Sequence, residues 1–115
     1  MDKDRISQVM RTTRLKLLRC RLLSLLSDSY PKHEHSDVLY WRLTHEANEG
    51  TCINEVVNEL HYLAEKGLLQ LEQVVEERYL ATITARGRDY LGGTIQVEGL
   101  WETPASAATT SKRKH

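Results

Sequence analysis

His33, Glu34, His35 and Asp37 place two imidazoles and two carboxylates within five residues, with His45 or Cys52 as further ligands of a metal-sensing loop. Metal coordination favours a cysteine pair, or histidines one helical turn apart on one face. Neither spacing occurs, so the segment reads as a solvated histidine-rich loop. Cys20 and Cys52 stand in apolar-periodic segments without a signalled histidine and acid, and read as small buried hydrophobes rather than nucleophiles. Gly92 and Gly93 follow a short helical segment instead of opening one, unlike a phosphate-cradling loop. With no carboxylate pair placed for acid–base work, the expectation is a protein that is not an enzyme and has no metal or cofactor.

Charge is the remaining chemistry, and its total conceals its distribution. The 115 residues carry 16 Lys+Arg and 16 Asp+Glu, a net charge of zero. Residues 1–28 hold seven basic and three acidic side chains, residues 29–78 hold four and ten, and the rest are net +2. A basic beginning, with Arg11, Arg14, Lys16, Arg19 and Arg21, thus faces an acidic middle. Such an asymmetry points either to a solvated surface or to a charged partner. At 40% hydrophobic residues the chain can bury one core, and its length fits one domain with a short tail. Residues 1–11 lack a secretory apolar region, and no stretch approaches the roughly 18 uncharged apolar residues of a membrane span. A cytoplasmic protein without membrane contact is expected.

The apolar periodicity supplies the elements. Leu15, Leu18, Leu22, Leu25 and Leu26 share one stripe of a first helix that ends at residues 27–30, ahead of Pro31. Ile6, Val9, Met10, Thr13, Leu17 and Cys20 lie on roughly its opposite side, more apolar surface than one core covers. Ser36 is positioned to cap a second helix with Val38, Leu39, Tyr40, Leu43 and Ala47 at helical spacing. Thr51 is positioned to cap a third helix over residues 51–66, whose stripe is Ile53, Val56, Val57, Leu60, Leu63 and Ala64 and whose stop is Gly67. The period then changes to two. Leu69 and Leu71, a turn at residues 74–77, and Tyr79, Ala81 and Ile83 predict a β-hairpin with a charged tip. Thr84 caps a short helix ended by Gly92 and Gly93, residues 94–101 offer an edge strand, and residues 102–115 read as a flexible basic tail. Tyr40, Trp41 and Tyr62 read as core or interface aromatics.

Three helices followed by a hairpin is the order of a winged helix-turn-helix. The segments Leu63-Ala-Glu-Lys-Gly-Leu-Leu69 and Ala81-Thr-Ile-Thr-Ala-Arg-Gly-Arg-Asp89 resemble the small winged-helix proteins of Mu-like transposable phages and prophages. More distantly the chain is similar to bacterial repressors of the ArsR and MarR types, over about residues 13–93. The expected fold is therefore α+β: three helices, a two-stranded wing and a short C-terminal helix in a domain of residues 1–101, with extra N-terminal helical turns. The resemblance implies transcriptional control in a bacterial host, with the third helix in the major groove of double-stranded DNA and the wing on the backbone.

The DNA-contacting candidates are Arg14, Lys16 and Arg21 on the first helix, Asn54, Asn58 and Lys66 on the third, and Arg78 on the wing. On a wheel with the apolar stripe turned inward, the third helix presents Asn54, Glu55, Asn58, Glu59, His61, Tyr62 and Glu65. Its carboxylates oppose docking on phosphate, as does the wing tip at Glu76 and Glu77. The competing reading is a protein-interaction module whose acidic third helix and wing dock a basic phage or host protein. The outer stripe of Ile6, Val9, Met10, Thr13, Leu17 and Cys20 predicts a homodimer formed by pairing two first helices about a twofold axis. The alternative is that residues 2–12 fray. Dimerisation through terminal helices is also what the ArsR resemblance implies.

Overall fold

The computed structural model describes residues 3–102; the basic tail anticipated at residues 102–115 lies outside them except for Glu102. The chain forms α1 (Lys3–Ser29), β1 (Glu34–His35), α2 (Ser36–His45), α3 (Ile53–Glu65), β2 (Leu69–Val75), β3 (Arg78–Ile83) and α4 (Ala85–Leu91). The described residues thus make an α+β fold of four helices and one antiparallel sheet ordered β1-β3-β2.

The core forms where the helical stripes converge on the inward face of the hairpin. Leu18, Leu22, Leu23 and Leu26 of α1 pack with Leu39 and Leu43 of α2, Val56, Leu60 and Leu63 of α3, and Ala81 and Ile83 of β3. At roughly 25 cal/mol per Å² of buried apolar surface, this cluster is the main stabilising term. Only the C-terminal half of α1 joins it, and residues 3–12 are exposed along their whole length.

The sheet has three strands where two were expected. Glu34 and His35 pair with Ala81 and Leu80, covering the edge of β3 that a bare hairpin would leave open. Two residues are too few to display a period of two. The expected edge strand at residues 94–101 is irregular instead, because Val97 and Leu100 are drawn into the core and Ile95 packs against it. The hairpin is longer than predicted: its strands run to Val75 and Arg78, with a ladder irregularity between Gln73 and Val75 and a turn of Glu76 and Glu77, the latter at φ 61°.

Two landmarks stand where the sequence puts them. Gly67 takes φ +77°, the left-handed conformation that ends α3. The Thr84 hydroxyl accepts from the Gly87 amide at 3.1 Å and donates to the Gly67 carbonyl at 2.7 Å, tying the start of α4 to the end of α3. Two expected caps have other work. Ser36 is buried as the first residue of α2, and its Oγ accepts from the Tyr79 amide at 3.2 Å, fastening the hairpin to α2. Cys52, read from the sequence as buried, is exposed at the N-cap position of α3, while the Thr51 hydroxyl donates to the Glu55 carboxylate at 2.7 Å.

Candidate functional site

The third helix is amphipathic, and its apolar stripe leaves two polar flanks. Along the flank facing α1, Arg14 donates through both terminal nitrogens to the two oxygens of Glu55, at 2.9 and 2.5 Å. One turn further along each helix, Arg19 Nε donates to Glu59 Oε1 at 2.7 Å. The Arg19 guanidinium lies 3.8 Å from the centre of the Tyr62 ring, and its Nη1 donates to the Gly99 carbonyl at 2.8 Å. Arg21 pairs with Glu49 in the connection before α3. The seam between α1 and α3 is therefore a row of arginine–carboxylate pairs.

Depth grades these pairs. The Arg19 and Glu59 side chains are 12% and 10% exposed, so either one unpaired would be a costly buried charge. Arg14 and Glu55 are wetter, but their two-pronged geometry still matters. Its hydrogen bonds, opposed by partial burial, hold the Glu55 carboxyl below the usual glutamate range and raise the Arg14 guanidinium.

This seam corrects the wheel projection of α3. Glu59 is buried, and Glu55 and Tyr62 are half-buried, because α1 lies along that flank. The exposed positions of α3 are Asn54, Asn58, His61 and Glu65, at spacings of four, three and four. They form one open stripe. His61 meets Tyr79 of β3 edge to face at a centroid separation of 4.8 Å, which sets the hairpin beside this stripe.

The seven DNA candidates consequently separate. Arg14 and Arg21 are engaged by carboxylates, whereas Asn54 and Asn58 face outward. Lys66 is half-buried at the end of α3, its ammonium 5.5 Å from the Tyr62 ring centre. Arg78 is exposed at the start of β3, 3.4 Å from Asp37. Lys16 is half-buried on α1, one turn on from Thr12 and Thr13.

The six dimer candidates also divide. Ile6, Val9 and Met10 are 59%, 60% and 67% exposed, and Leu17 is 37% exposed. Thr13 is half-buried, its hydroxyl bonded to the Val9 carbonyl. Cys20 leaves the outer stripe and packs against the core, beside the Tyr90 phenol, which burial pushes upward. Pattern reading also passed over an exposed apolar patch. Trp41 stacks on His45 at 4.6 Å yet stays 53% exposed, and Val38, Val74 and Val75 are exposed as well.

His33 and His35 make an edge-to-face pair with centroids 6.2 Å apart, and among the described residues no three His, Cys, Asp or Glu side chains converge as a metal site. Among the same residues no helix is long and apolar enough to cross a membrane. No family model, curated protein or solved structure matches the chain.

Proposed function

We propose that this chain is a winged-helix DNA-binding protein acting in transcriptional control, with the open stripe of α3 directed at the major groove and the β2–β3 hairpin at the adjoining backbone. The observation that carries this reading is the division of α3 into two flanks. Glu55 and Glu59, two of the three α3 carboxylates that oppose DNA docking, are matched by Arg14 and Arg19 within the chain, which leaves Glu65 on the open flank. The open flank offers Asn54 and Asn58, one turn apart, and a carboxamide can bond an adenine edge in two places. The order of helices and strands supports the same reading, as does the resemblance to winged-helix proteins of Mu-like phages and prophages.

The pairing that favours DNA weakens the competing docking module, because two carboxylates assigned to a basic partner are already engaged. With few free cations beside the stripe, base-edge contacts carry much of the selectivity and the salt dependence is shallow. The test is retardation of a randomised duplex pool at ~50 mM salt, where phosphate contacts are strong. Enrichment of an adenine-containing site is expected, with Asn58→Ala weakening binding to it about fivefold or more, the low end of one bidentate base contact. No retardation of any member of the pool would overturn the reading.

A further inference from the structure

The first ten residues of α1 extend past the core. Ten helical residues span about 15 Å, and a lone helix of that length is marginal in water. Ile6, Val9 and Met10 gather on one side of this extension and are each more than half exposed. Its charged residues are Lys3, Arg5 and Arg11 against Asp4, a basic amphipathic helix that no other described residue covers.

A complementary surface lies elsewhere in the same chain. Between the start of α2 and the hairpin tip, Val38, Val74 and Val75 line a groove open to solvent, and Trp41 extends the patch one turn along α2. Three exposed apolar side chains and a tryptophan in one place form a docking surface. Its margin is acidic: Asp37 is exposed, Glu76 and Glu77 are exposed at the tip, and Arg78 offsets one of these charges.

We propose that the extension of α1 docks in the α2–hairpin groove of a second copy of this chain, with the exchange made reciprocally in a closed homodimer. Charge selects this occupant over a pairing of two α1 helices, since two extensions of net +2 would face like charge whereas the groove presents carboxylates. A twofold axis makes the two contacts identical and leaves no unsatisfied surface to propagate a filament. The dimer does not rest on the DNA reading: neither surface includes the open stripe of α3, although the groove shares the hairpin with the proposed backbone contact.

Sedimentation of the full chain at ~100 μM, where a micromolar dimer is largely populated, tests the proposal. The expected mass is twice the 13.3 kDa of the chain. Met10→Glu and Val75→Glu should each sediment as the monomer with unchanged circular dichroism, since both positions are exposed. A monomeric native chain overturns the proposal. So does either variant that stays dimeric; a dimeric Val75→Glu chain beside a monomeric Met10→Glu chain is the signature of paired α1 helices.

Discussion

The two polar flanks of α3 differ in what their residues face, although in sequence they interleave. Asn54, Glu55, Asn58 and Glu59 alternate between an open surface and a seam, and the seam takes the carboxylates while the open surface keeps the amides. On the seam, polar side chains are fixed by partners from α1. On the open stripe, Asn54, Asn58, His61 and Glu65 face solvent, and His61 borders the hairpin through Tyr79. A helix's charge therefore acquires meaning only after its neighbours are assigned. Carboxylates that look like an interface, or like an obstacle to one, can be internal fastenings.

Three changes probe this contrast and a fourth tests the stop of α3, in falling order of effect. Arg19→Ala strands Glu59 at 8% exposure and removes the cation from the Tyr62 ring, so a loss of about 3 kcal/mol is expected from the urea midpoint at unchanged slope. A loss below about 0.5 kcal/mol, the scale of a surface substitution, would mean that the seam is only a surface decoration. Gly67→Val, which touches neither flank, should cost about 1 kcal/mol or more by forcing a branched side chain into the left-handed conformation. An unchanged melting temperature would remove this glycine from the account of how α3 ends.

Acid should act on the seam and leave the open stripe alone. The Glu55 carboxyl is held below its ordinary value in the fold, so the unfolded chain binds more protons and stability rises with pH across the interval between the two values. The contribution is fully present above the usual glutamate value of about 4.3 and is lost as pH falls through the lowered folded value. Because Arg14 is 41% exposed, solvent screening limits the effect to several tenths of a kcal/mol. Glu55→Gln should therefore lower the melting temperature at neutral pH and differ less from the native chain in acid; an equal gap at both would contradict the pairing. The smallest effect belongs to the open stripe, where Asn58→Ala should leave stability within about 0.5 kcal/mol.

Much of this frame is legible in the residues. The leucines of α1, the glycine after α3 and the threonine before α4 each obey a local rule, a period or a cap, and stand where those rules put them. What stays hidden depends on contacts distant in the chain. β1 exists because β3 has an edge to cover, Ser36 serves the Tyr79 amide 43 residues away, and residues 94–101 yield their alternation to core packing. The seam falls in the same class. Its signal was present as a basic first helix against an acidic middle, but nothing local says that Arg14 and Glu55, 41 residues apart, face each other.

The division of α3 is tested most directly by following a ¹⁵N-labelled chain by NMR as a duplex selected from the randomised pool is added. The account predicts that the largest shifts fall on the side-chain amides of Asn54 and Asn58 and on the backbone of His61 and Tyr79, while the Nε–H signal of Arg19 stays in place. Shifts centred on Arg11, Arg14 and Lys16, with the asparagine amides unmoved, would contradict it and make α1 the surface that meets DNA.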